Sequence, residues 1–103
     1  LDLRGNQLTE IPKGLEKCTQ LTNLKLTSNK LRSISANSPL RKLRKLEYLF
    51  LDSNKLTSVK GLEKLTKLQV LWIAGNPDLT KAQIAELKKV LPFFCEIVHN
   101  AKK

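Results

Sequence analysis

The sequence predicts an α/β solenoid. Its coils stack in a right-handed sense, and about five short strands line up as one parallel sheet on the concave side. Three observations lead there. The first is a repeat: "LDLRGNQL" (1–8), "LKLTSNKL" (24–31), "LFLDSNKL" (49–56) and "LWIAGNPDL" (71–79) place Asn6, Asn29, Asn54 and Asn76 at intervals of 23, 25 and 22 residues. Units that short cannot bury an apolar face alone and must stack on their neighbours. The second is the alternation inside each copy. In "LEYLFLDSNKL" (46–56), Leu49 and Leu51 point to one side of a strand while Tyr48, Phe50 and Asp52 point to the other. The third is a set of later apolar positions that close each coil: Ile11, Leu15 and Cys18, then Ile34, Leu40 and Leu43, then Val59, Leu62 and Leu65.

The units run over about 1–20, 21–45, 46–67 and 68–91, with a degenerate cap strand at 94–100, all within one domain. In each coil the LxL core is a strand with its leucines inward. The asparagine follows where the chain leaves the sheet, so its side-chain amide can pair backbone groups that the turn leaves open. Asn6, Asn29, Asn54 and Asn76 are expected to form a structural ladder. In the second coil Ser38-Pro39 reads as an N-cap with proline at the first helical position, which predicts a short helix over 39–45. Thr80 and Gln83 form a T-x-x-Q capping box. Ile84, Leu87 and Leu91 follow at helical spacing, and Pro92 ends that helix. "CEIVHN" (95–100) reads as a fifth, degenerate copy, with Cys95 and Ile97 in the leucine positions, Asn100 in the asparagine position and an edge strand over 94–98. All four glycines are assigned to turns.

The pattern LxxLxLxxNxL, complete in "LTNLKLTSNKL" and "LEYLFLDSNKL", resembles the leucine-rich repeat family over nearly the whole chain. The third unit looks most like the subtype of phosphatase-1 regulatory subunits. The first is similar to the "IP…L" subtype of bacterial and signalling proteins. The resemblance implies a non-catalytic protein-binding scaffold without a cofactor. Leu1 already stands at the first leucine of an LxL core, and solenoids need polar end units. The chain is therefore expected to be a fragment of a longer parent protein, lacking N-terminal repeats or a cap.

Composition narrows the function classes. The chain has 103 residues, 41% of them hydrophobic, with a formal net charge of +10. That excess admits nucleic acid or an anionic membrane as partners. No apolar run reaches the roughly 18 residues of a membrane span, and no signal-peptide pattern opens the chain. Two cysteines make no disulfide framework. Both are assigned to inward positions on different coils, as buried, reduced thiols. Together with the absence of the family's cysteine-rich flanking caps, this points to an intracellular protein. One histidine makes a zinc site unpromising. A Cys95–His99 nucleophile pair is set aside because Cys95 faces the core on this reading, and no phosphate-binding loop is present.

The outward side chains of the strands fall into three rows. Between the leucines stand Asp2, Lys25, Phe50, Trp72 and Glu96. Before them stand Asn23, Tyr48, Val70 and Phe94. After them stand Arg4, Thr27, Asp52, Ala74 and Val98. Phe50 and Trp72 are expected side by side, with Tyr48 and Phe94 flanking them. Large apolar groups on an open face mark interaction sites, so Tyr48, Phe50, Trp72 and Phe94, with Lys25, Asp52, Asn23 and Val70, are the candidate surface for a protein or peptide partner. The competing explanation is that the rings simply pack on one another. The densest cationic run, Arg41, Lys42, Arg44 and Lys45, lies outside this face. It reads as a solvated helix side or, alternatively, as a nonspecific phosphate-contacting patch. A third reading makes the chain a recognition or regulatory domain of a larger enzyme.

Overall fold

The computed structural model describes residues 1–102. Four strands, β1 (Asn23–Lys25), β2 (Tyr48–Phe50), β3 (Val70–Trp72) and β4 (Glu96–Val98), form one sheet in the order β1-β2-β3-β4. Every pairing is parallel. The first repeat adds a single bridge, Asp2 to Lys25, rather than a fifth strand. Opposite the sheet the chain returns through 3-10 turns at Leu15–Lys17, Pro39–Lys42 and Lys60–Lys64. Helix α1 (Lys81–Val90) takes that place in the last coil.

The core sits between the sheet and these turns. Leu24, Leu49 and Leu71 are buried in one inward column, and Leu26, Leu51 and Ile73 in the next. Ile34, Leu40, Leu43, Val59, Leu62 and Leu65 close the coils from behind. Such side chains each contribute about 1.5–3 kcal/mol on burial. Ser38 caps the second 3-10 turn, its hydroxyl accepting from Leu40 N. That segment is shorter than the helix expected over 39–45, because the coil must turn back toward β2 after only four residues. The Thr80–Gln83 capping box is complete, with both reciprocal bonds formed.

Leaving each strand, the backbone crosses into the left-handed region at equivalent positions: Gly5 (φ 69), Ser28 (φ 59), Ser53 (φ 56) and Gly75 (φ 75). This conformation swings the next residue, the asparagine, inward. Asn29 donates to the Leu3 and Leu26 carbonyls at 3.0 and 2.9 Å and accepts from Asn6 N and Leu8 N at 3.0 and 2.9 Å. Asn54 donates to the Leu26 and Leu51 carbonyls, both at 3.0 Å, and accepts from Leu31 N at 3.1 Å. Asn76 donates to the Leu51 and Ile73 carbonyls and accepts from Leu56 N. Each amide thus stitches its own coil to the one before. Asn6 differs: it is exposed and donates only to the Arg4 carbonyl of its own loop.

Further sequence expectations need correction. Cys18 is exposed, not buried, because the first coil has a neighbouring coil on one side only in this chain. The last repeat pairs two residues later than expected: Ile97 lies opposite Leu71, and Val98 opposite Trp72. The Pro92–Cys95 turn, closed by Cys95 N donating to Pro92 O, uses up two residues before pairing begins. Cys95 therefore precedes the strand, half-buried, and Asn100 falls outside the ladder, its Oδ1 accepting from Gly75 N instead. Gly61 does lie in a turn, as expected, but a buried one, where its N–H donates to Ile34 O at 2.8 Å. A Cβ there would run into the Ser35 carbonyl and the Ile34 side chain.

Asn54→Ala strands several buried backbone groups and should lower stability by about 2–3 kcal/mol, read as a shift of the urea midpoint. Asn6→Ala should change it by less than about 0.5 kcal/mol. Gly61→Ala should cost about 1–3 kcal/mol by overpacking two coils; an unchanged midpoint would contradict the close approach. Native protein treated with an aromatic disulfide reagent should release one equivalent of chromophore quickly from Cys18, and the second slowly from half-buried Cys95.

Candidate functional site: the concave face

Short parallel pairing places the outward side chains of β1, β2 and β3 in register. Asn23, Tyr48 and Val70 stand opposite one another, as do Lys25, Phe50 and Trp72. Phe50 and Trp72 stack with centroids 6.1 Å apart and planes inclined by 28°. Phe50 is half-buried by this contact, while Trp72 remains 40% exposed and Tyr48 36%. The Tyr48 hydroxyl lies 3.5 Å from Gln69 Oε1, a long contact that leaves it free to bond elsewhere.

Polar groups surround the rings in fixed positions. Thr27 Oγ1 donates to Asp52 Oδ1 at 2.8 Å across neighbouring coils. Gln69 Nε2 donates to Glu47 Oε1 at 3.1 Å beneath Tyr48. At the first coil Arg4 Nε and Nη2 donate to the two oxygens of Asp2 at 2.8 and 2.7 Å. The Arg4 hydrogen bonds hold the Asp2 carboxyl down to about 2, well below its usual range. This pair neutralises itself. Of the formal charges on the face, Lys25, Asp52 and Glu96 remain, so the surface is nearly balanced around an aromatic centre.

Phe94 does not belong to it. With the later register, Glu96 takes the place opposite Val70, and Val98 the place beside Trp72. Phe94 instead lies on the turn before β4 and packs edge-on against Phe93, centroids 5.7 Å apart at 82°. The registers thus align Asn23, Tyr48 and Val70, and Lys25, Phe50 and Trp72, with Asp52 just past β2, and give Phe94 no place in those rows. Sequence reasoning passed over Phe93, although two adjacent aromatics directly after a helix-ending proline were a signal of a projecting turn.

The cationic run lies on the opposite side of its coil. Lys42, Arg44 and Lys45 are exposed, and Lys45 Nζ donates to Gln20 Oε1 at 2.6 Å. Arg41 is half-buried, its Nε enclosed without a hydrogen-bond partner. Lysines 17, 42 and 64 end the three successive 3-10 turns, so they recur at equivalent places along the convex side. At Cys95, burial and then the Glu96 charge push the thiol up, away from the thiolate that nucleophilic chemistry needs. His99 is half-buried, its Nδ1 accepting from Ala101 N at 3.2 Å. Among the described residues no group of three His, Cys, Asp or Glu side chains gathers as a metal site. No helix there is long and apolar enough to cross a membrane.

No curated protein matches the chain. A family model described as leucine rich repeat matches residues 19–77, more than half of the chain, and a second model of that description matches residues 1–18. Repeats of this kind generally serve protein interaction and are typically non-catalytic. With the parallel sheet, the 3-10 returns and the asparagine ladder already described, these matches show that the chain belongs to the leucine-rich repeat family.

Proposed function

We propose that the chain is a non-catalytic interaction module that holds a protein or peptide on its concave face. Tyr48, Phe50 and Trp72 form the apolar centre, with Asn23, Lys25, Asp52 and Val70 around it. The observation that carries this reading is the Phe50–Trp72 stack, left open on a sheet face whose other members, Tyr48 apart, are polar or small. Ring packing alone accounts for Phe50 but leaves Trp72 and Tyr48 in solvent, and such side chains dominate binding hot spots. Strand-borne anchors are also held in place before a partner arrives, which reduces the entropy lost on binding. Two free cysteines on different coils fit a reducing, intracellular setting for such a module.

The test separates the concave face from the convex cations. In capture from lysate at physiological salt, Phe50→Ala with Trp72→Ala should abolish recovery of a partner protein. Changing Arg41, Lys42, Arg44 and Lys45 to Glu should leave recovery intact, with circular dichroism confirming both folds. With the partner isolated, each aromatic truncation should weaken binding by about 2 kcal/mol, roughly thirtyfold. If the charge variant alone lost its captured material, and nuclease treatment abolished capture by the unaltered chain, the concave reading would be wrong.

A further inference from the structure

Of the large apolar side chains left exposed, Phe93 is the most so, at 98%. It lies on the turn between α1 and β4, between Pro92 and Phe94, and at that exposure the fold gains almost nothing from burying its ring. Phe94 (53% exposed) packs edge-on against it, and Val90, at the end of α1, is 44% exposed. The last turn of α1 carries Lys88 and Lys89. Lys89 reaches Glu86 at 3.5 Å, but both side chains are largely solvated and the pair is weak. The tip is therefore an apolar turn that directly follows a helix end carrying two exposed lysines, with exposed Glu86 and Glu96 on either side in sequence, on a chain of net charge +10.

We propose that this tip, Val90, Phe93 and Phe94 with Lys88 and Lys89, docks the protein peripherally on an anionic lipid bilayer. A knob needs either a matching hole or a deformable apolar medium, and the boundary between lipid headgroups and acyl chains is such a medium. Cations near that surface are drawn to anionic headgroups, and one apolar anchor joined to a basic patch binds where either alone is marginal. A groove of about 330 Å³ that shares Val90 with the tip is lined by Val59 and Leu87 and by the charged Lys60, Glu63 and Glu86. Filling it with Phe93 of a second copy would bring two chains of charge +10 together, which their mutual repulsion opposes. The same charge favours the anionic bilayer.

The experiment is co-sedimentation of the chain with phosphatidylcholine vesicles, with and without phosphatidylserine, at low and high salt. The chain should bind only the serine-containing vesicles and be released by salt. Phe93→Ser, at a fully exposed position, should lower the partition coefficient roughly tenfold. Lys88→Glu with Lys89→Glu should lower it at least as much. Phe93→Trp should keep binding and blue-shift its emission on the vesicles. Phe50→Ala with Trp72→Ala should bind vesicles as the unaltered chain does, which keeps this test independent of the concave site. Equal binding by Phe93→Ser would overturn the proposal and assign the attraction to diffuse charge. So would a concentration-dependent dimer, seen by light scattering and lost in Phe93→Ser, from a chain that leaves vesicles unbound.

Discussion

The side-chain amide of the repeat asparagine fixes the distance and register between coils, and the concave face follows from it. Within a coil the LxL strand spans only three residues and makes too few ladder bonds to hold a neighbour by itself. Asn29, Asn54 and Asn76 each bridge carbonyls of two successive coils and accept an N–H from the earlier one. A coil displaced along its neighbour would break these bonds in a site closed to water, where each lost partner costs about 1–3 kcal/mol. The left-handed residue before each asparagine is the local condition for this. Serine at 28 and 53 accepts a strained backbone there, at about 1–2 kcal/mol each, in exchange for turning the amide inward.

Registration in turn decides what stands beside what. Phe50 meets Trp72 because Leu49 meets Leu71 one residue earlier. In a stack where each coil touches only its neighbours, stability is greatest in the middle. Leu24, Leu26, Leu49, Leu51 and Leu71 are wholly excluded from solvent. At the ends, Leu3 and Leu8 are only half-buried, as is Ile97 in β4. The aromatic centre is thus carried by β2 and β3, the two strands with a partner on both sides. Placement on the most rigid part of the molecule is what a preformed binding surface requires.

Much of this was legible in the sequence, and the failures have physical reasons. The leucine positions, the asparagines and the Thr80–Gln83 capping box are local patterns with one good solution, and they read directly. Cys18 occupies the same place in its coil as Leu43 and Leu65, so position alone suggested burial. Exposure there depends on a neighbouring coil, which a single repeat does not encode. The late register of β4 was hidden for a different reason. A shift of two residues preserves which side chains point inward, so the alternation around Ile97 fits both registers, and Asn100 lent weight to the wrong one. Gly61 looked like a turn glycine because composition marks turns, whereas its requirement is the closeness of Ser35 in another coil.

The distribution of charge explains how one small chain can present two different surfaces. The concave rows contain Asp2 and Arg4, which satisfy each other, and Asp52, whose carboxylate is held by Thr27. Those groups are already paired, so covering the face strips little hydration from uncompensated charge, and the cost of desolvation falls mainly on Lys25 and Glu96. Six of the cations, Lys17, Arg41, Lys42, Lys64, Lys88 and Lys89, lie instead on the returns, at the ends of the 3-10 turns and of α1. There, Arg41 apart, their heads stay in water, and their attraction is long-ranged and sensitive to salt. In the middle coils the exposed aromatic rings and the clustered cations therefore occupy different sides. The repeat enforces that separation, because the side chains around Phe50 and Trp72 and those of Lys42 and Lys64 leave the backbone on opposite sides of the same leucine core.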